Sequence, residues 1–209
     1  MSEFIHVEPS EIEKESFSII ERILKENNIS LDEKQAPIIK RVIHTTADFS
    51  YTESLQFTDR AIEKGIDLIR AGATIITDTN MALAGINKRV TKYGCKCECF
   101  MADAMVGEIA KSRGVTRATV SMEMAMDIEG LKILVIGNAP TALIELHRIM
   151  METSLKPDLL IGVPVGFVNV EYSKDIFVGT DVDYIINFGR KGGSNVAAAI
   201  VNALSLLAG

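Results

Sequence analysis

Imidazole is the side chain best suited to give and take a proton near neutral pH, and the chain has three histidines: His6, His44 and His147. His44 has the richest company. It sits in Ile38-Ile39-Lys40-Arg41-Val42-Ile43-His44-Thr45-Thr46-Ala47-Asp48-Phe49. Helical spacing puts Ile39, Val42, Ile43 and Thr46 on one face and Arg41, His44, Thr45 and Asp48 on another. The apolar stripe would anchor the helix in a core while a cation, an imidazole, a hydroxyl and a carboxylate face a ligand. His44 is therefore the catalytic candidate, against the competing reading of a satisfied structural histidine. His6 precedes the first helix without polar company, and His147 lies on an amphipathic helix beside Arg148, at a flank rather than in a site.

Anion binding is the second chemistry the residues support. Gly189-Arg190-Lys191-Gly192-Gly193-Ser194 combines glycines, two cations and the start of a small-residue helix. Such a loop lets backbone and charge converge on an anion. The order of a Walker A loop is absent, and no Gly-x-Gly-x-x-Gly follows the first strand, so a dinucleotide reading is weak. Gly137-Asn138-Ala139-Pro140-Thr141-Ala142 turns into a helix with proline in its first turn and would offer free N–H groups to an anion. Cys95, Cys97 and Cys99 alternate along one segment. At that spacing they are poor disulfide partners and read as reduced, packed thiols. No His/Asp/Glu spacing suggests a zinc or iron site held by protein alone. Gly-x-Ser-x-Gly is absent, so hydrolase chemistry has little support.

The elements that must position these groups follow from periodicity. Ser10-Glu11-Ile12-Glu13 reads as a capping box opening a first helix with an apolar face of Ile12, Ile19, Ile20, Ile23 and Leu24. Ser16 falls on that stripe, either bonded back to its own helix or meeting a ligand. Ser30-Leu31-Asp32-Glu33 reads as the cap of the helix leading to His44, with a kink or restart at Pro37. Residues 54–70 read as a further helix closed by Gly72. Short apolar strands are then expected at 73–78, 95–101, 131–136, 159–163 and 184–188, with helices at 104–112, 115–127, 140–153 and 194–207. This alternation predicts an α/β fold: a three-layer α/β/α arrangement with a mainly parallel, Rossmann-like sheet of about five strands, preceded by N-terminal helices. In such sheets ligands gather at the carboxyl ends of the strands, which makes 77–87, 137–142, 162–167 and 189–194 the informative segments.

The 209 residues, 47% hydrophobic and 24% charged, suit one globular domain over 1–209. A net charge of −6 argues against nucleic acid as a partner. No apolar run reaches the length of a membrane span, and Met1-Ser2-Glu3-Phe4 lacks a signal-peptide pattern, so a cytoplasmic location is expected.

Several stretches together resemble one family, the precorrin-8X (cobalt-precorrin-8) methylmutases of corrin-ring biosynthesis. They are Glu15-Ser16-Phe17, Arg41-Val42-Ile43-His44, Thr77-Asp78-Thr79-Asn80-Met81, Gly137-Asn138-Ala139-Pro140-Thr141-Ala142-Leu143, Gly162-Val163-Pro164-Val165-Gly166-Phe167-Val168 and the 189–194 loop. The resemblance implies an isomerase that moves a methyl group from C-11 to C-12 of the macrocycle. His44 would be its proton donor and acceptor, with Ser16, Arg41 and Arg117 as substrate contacts. The full candidate substrate-binding set is Ser16, Arg41, Asn87, Arg117, Arg190, Lys191 and Ser194. It also implies a homodimer, no metal site and no separate cofactor, since any cobalt would arrive in the substrate, a tetrapyrrole bearing many carboxylates. The chain departs from the family at Glu171-Tyr172-Ser173-Lys174, where Glu-Ser-Lys is usual and Tyr172 takes the glutamate's place. Thr45-Thr46-Ala47-Asp48 looks like the cobalt-dependent branch. Two other classes stay open: a phosphate- or nucleotide-handling enzyme using 189–194, and a non-catalytic tetrapyrrole carrier.

Overall fold

The computed structural model describes residues 8–209; His6 lies outside them. Two helices lead, α1 (Ile12–Glu26) and α2 (Ala36–Thr46), followed by the single-turn α3 (Tyr51–Ser54), β1 (Leu55–Phe57) and α4 (Ala61–Arg70). Then come β2 (Thr74–Thr77), α5 (Asn80–Gly85), a 3-10 turn at Lys88–Tyr93 and β3 (Lys96–Glu98). Helices α6 (Ala104–Arg113) and α7 (Arg117–Asp127) lead to β4 (Lys132–Ile136). The chain closes with α8 (Pro140–Glu152), β5 (Leu159–Gly162), α9 (Val170–Asp175), β6 (Tyr184–Asn187) and α10 (Ser194–Leu207).

The strands form one sheet in the order β1-β6-β5-β4-β2-β3, parallel throughout except for β1, which runs antiparallel to β6. Side chains alternate across it, as strand geometry requires. Ile75, Ile133, Val135, Leu159, Ile161 and Ile185 pack with α1, α2, α4 and α10. Ile76, Leu134, Ile136, Leu160 and Ile186 pack with α7 and α8 on the opposite face. The three-layer expectation therefore holds.

Three local expectations are corrected. The 54–70 stretch is not one helix: Leu55–Phe57 forms a sixth strand, in register Leu55↔Asn187, Gln56↔Ile186 and Phe57↔Ile185. It covers an edge of β6 that would otherwise present unpaired N–H and C=O groups. At Ser10 no side-chain cap forms; the chain enters α1 through a 3-10 turn at Pro9–Glu11. At 30–33 the cap residues build a turn instead, in which Asp32 Oδ1 accepts from the N–H groups of Lys34 and Gln35 at 2.9 and 3.1 Å. Helix α2 then begins at Ala36 with Pro37 in its first turn, the restart that a proline without an N–H favours.

Helix α2 is held by burial rather than by caps. Ile38, Ile39, Val42 and Ile43 are 0–2% exposed, each contributing about 1.5–3 kcal/mol. The helix ends where Ala47 turns left-handed (φ 54°) and its N–H returns to Ile43 O at 2.7 Å. That end lies one residue before Asp48, which therefore leaves the helical face it was expected to share with His44.

Candidate active site

Arg41, His44 and Thr45 of α2 line a cavity of about 450 Å³. The opposite wall is α10, through Asn195, Ala198, Ala199, Asn202, Ser205 and Leu206, and the rim carries Gly85, Asn87, Arg89 and Glu13. Helix α10 packs closely on the end of α5 because both are small there: a Cβ at Gly85 would meet Ala198 Cβ at 2.8 Å. Asn202 ties the rim down, accepting from the Asn87 N–H at 2.7 Å and donating from Nδ2 to Gly85 O at 2.9 Å. Asn87 Oδ1 in turn accepts from the Arg89 N–H at 2.9 Å.

The His44 imidazole is exposed and stacks on Phe17 of α1, with ring centroids 5.1 Å apart and planes 15° apart. Phe17 also carries the Arg41 guanidinium 4.7 Å from its centroid. Arg41 Nη2 completes its contacts on Glu13 Oε1 at 2.8 Å.

Of the expected site residues, His44, Arg41 and Asn87 converge here. Ser16 Oγ is bonded back to Ile12 O at 2.8 Å, the self-satisfied arrangement on its own helix. The Arg190 Nε donates to Glu171 Oε2 at 2.9 Å, with Phe167 nearby, and Lys191 Nζ donates to Asp48 Oδ2 at 2.6 Å and Ser50 Oγ at 2.9 Å. Both cations of the 189–194 loop thus have internal acidic partners. Ser194 is buried, its hydroxyl 2.8 Å from that of Thr79. Arg117 is the first residue of α7 and donates to Met101 O at 3.3 Å, away from the His44 cavity. His147 packs edge-on against Phe177 with centroids 5.7 Å apart. Glu13, Phe17, Arg89, Asn195 and Asn202 escaped the sequence reading. The α10 pair had a signal: two asparagines seven apart on an otherwise small and apolar helix, hence on one face.

Two buried ionisable groups build the loops around the strand ends. Asp78 is fully buried and accepts from the N–H groups of Gly137 (2.8 Å), Asn138 (2.8 Å) and Ala139 (2.7 Å). Burial pushes its pKa upward, while those three donors pull it down. The 137–139 N–H groups, expected to be free for an anion, are thus already taken by an internal carboxylate. Lys174, also fully buried, donates to Gly189 O (2.6 Å) and Lys191 O (3.0 Å) and fixes the 189–194 loop from beneath. Desolvation lowers its pKa to about 8. The loop then presses on the end of β5: Gly193 N–H donates to Val163 O at 2.9 Å, and a Cβ at Gly192 would lie 2.0 Å from that same oxygen.

The cysteines are free thiols. Burial raises the pKa of Cys95 to about 11 and that of Cys97 in the same direction, which keeps both protonated and poorly nucleophilic. Among the described residues no group of three or more His, Cys, Asp or Glu is placed to hold a metal ion, and no helix is long and apolar enough to cross a membrane.

Sheet, helical layers and cavity define the class: a three-layer α/β protein in which an imidazole and two guanidinium groups converge on a ligand-sized space between α2 and α10. The comparisons agree. The family model of precorrin-8X methylmutase matches residues 11–207. A cobalt-precorrin-8 methylmutase of Leptospira interrogans is 41% identical over 205 residues, covering 94% of this chain and 92% of that one. One from Salmonella typhimurium is 43% identical over 202 residues, covering 94% of each. A crystal structure of precorrin-8X methylmutase from Thermus thermophilus matches with a TM-score of 0.82 at 35% identity, over 94% of this chain and 95% of that one. The chain belongs to the precorrin-8X methylmutase family, and is an isomerase of cobalamin biosynthesis that shifts a methyl group within one molecule.

Proposed function

We propose that the substrate is cobalt-precorrin-8, that its methyl group moves from C-11 to C-12 to give cobalt-bearing cobyrinate, and that His44 is the proton donor and acceptor. The observation that carries this reading is that Arg41 and His44, one turn apart on α2, open into the same cavity. An isomerisation neither gains nor loses a proton overall. One imidazole can therefore lend a proton to the conjugated ring while the methyl migrates with its bonding pair, and then recover it. Arg41 and Arg89 suit the ring's carboxylates, since guanidinium matches a carboxylate fork. The cobalt form is favoured by the names of the Leptospira interrogans and Salmonella typhimurium relatives. No separate cofactor enters this reading; the metal comes with the substrate.

The test is to incubate the protein with metal-free and cobalt-bearing precorrin-8 and follow absorption for product. His44→Asn should retain corrinoid binding and lose about 10²–10⁴ in rate. Full turnover by that variant would remove His44 from the role, and binding without conversion by the unaltered protein would indicate a carrier. A homodimer in the cytoplasm completes the proposal. It is supported by exposed Phe167 and Val168, at 83% and 78%, beside Arg190; a monomer in light scattering would count against it.

A further inference from the structure

Behind the His44 cavity lies a second one of about 820 Å³ between α1, α2 and the end of α10, lined among others by Glu13, Phe17, Glu21, Lys40 and Arg41. Glu13, Arg41 and Leu206 line both cavities. The partition between the two spaces is thus built in part from an ion pair. Each cation that α2 offers to this space is held by an acid of α1: Arg41 by Glu13 at 2.8 Å and Lys40 by Glu21 at 2.6 Å. The exposures are lopsided. The Arg41 and Lys40 side chains are 21% and 25% exposed, while Glu13 and Glu21 are 62% and 59% exposed. The cations are set in the wall and the acids reach over to them from solvent.

We infer that Glu13, and more weakly Glu21, stand in for substrate carboxylates. Each occupies a cation that a polycarboxylate ring takes over on binding, and displacement of Glu13 from Arg41 opens the partition between the two cavities. This rests on the corrinoid reading above and deepens it by naming residues that set the affinity for the acidic arms. The exchange costs little, because one guanidinium–carboxylate contact is traded for another and the released glutamate returns to water from an already exposed position. Such a pair also favours ligands that bring their own carboxylates. A neutral ring offers Arg41 no carboxylate in exchange for Glu13 and so leaves the ion pair in place.

The test is an absorption titration of cobyrinate, and separately of its fully esterified form, into the unaltered protein, Glu13→Gln and Glu21→Gln. Glutamine keeps the shape and removes the competing charge. The expected result is cobyrinate binding about two- to fivefold tighter in Glu13→Gln, a smaller gain in Glu21→Gln, and no gain for the ester in either. Thermal melting checks that both variants are folded. Unchanged or weaker cobyrinate binding by folded Glu13→Gln would overturn the inference and leave the methylmutase reading intact, as would an equal gain for the ester. Failure of all three proteins to bind cobyrinate would overturn the corrinoid reading and the inference with it.

Discussion

Phe17 and His44 lie face to face, 5.1 Å between centroids and 15° between planes, and among the described residues no hydrogen bond holds the imidazole. The stack therefore sets the tilt of the ring that would move the proton. Phe17→Ala should lower kcat about two- to tenfold, the worth of an aromatic pair, while Phe17→Tyr retains most of it. Steady-state turnover followed by absorption decides. A rise in KM at constant kcat would instead make Phe17 a substrate contact.

Asp78 joins the end of β2 to the turn entering α8 through three N–H groups. In Asp78→Asn one side-chain oxygen can still accept, but the amide NH₂ would face N–H donors. A loss of about 2–4 kcal/mol is expected from the stranded donors, read as a lower midpoint in urea.

Lys174 gives a pH signature. Its pKa in the folded protein, about 8, lies below the ~10.4 of an unfolded lysine. Between those values the unfolded chain binds more protons, so this group adds stability as the pH rises through the window. Its two carbonyl acceptors can be served by a neutral amine. Lys174→Met should flatten the stability difference between pH 8 and 10 and, by leaving Gly189 O unpaired while Asn187 Nδ2 still serves Lys191 O, cost about 1–3 kcal/mol at pH 7. Denaturant titrations across that range measure both effects.

Lys191 and Asp48 clip the 189–194 loop to the end of the helix that carries His44. The Lys191 ammonium holds the Asp48 carboxyl below its usual pKa. The contribution is present above the unfolded value of about 3.9 and fades as the pH falls through the folded one. Lys191→Ala should cost no more than about 1 kcal/mol at pH 7, because both groups are partly exposed. Its difference from the unaltered protein should shrink below about pH 4, as thermal unfolding at several pH values would reveal.

The short continuous apolar runs at 131–136 and 159–163, set between helical stretches, made the layered sheet readable from the sequence, and the four-residue rhythm of Ile39, Val42 and Ile43 made α2 readable. Periodicity is a local property of the chain, and burial enforces it on both elements. The convergence of Arg41 and His44 was likewise visible, because helix geometry alone puts them one turn apart. Leu55–Phe57 was not: three residues carry too little pattern to separate strand from helix, and their partner is Ile185–Asn187, across the sheet.

The same distance along the chain hid the fate of the cations and of the free N–H groups. Glycines, charges and a helix start specified an anion-binding loop at 189–194. Whether those charges are free depends on Glu171, 19 residues away, and Asp48, 143 residues away. The 137–139 N–H groups looked equally available until the fold delivered Asp78 to them. Sequence by itself determined the five parallel strands and most of the longer helices, which of their faces are buried and which imidazole sits on a polar face, since all of these follow from local spacing. Only the tertiary structure decided which donors and cations are spent inside the protein and which still face the cavity, because a charge is neutralised by whatever the fold brings within about 3 Å of it.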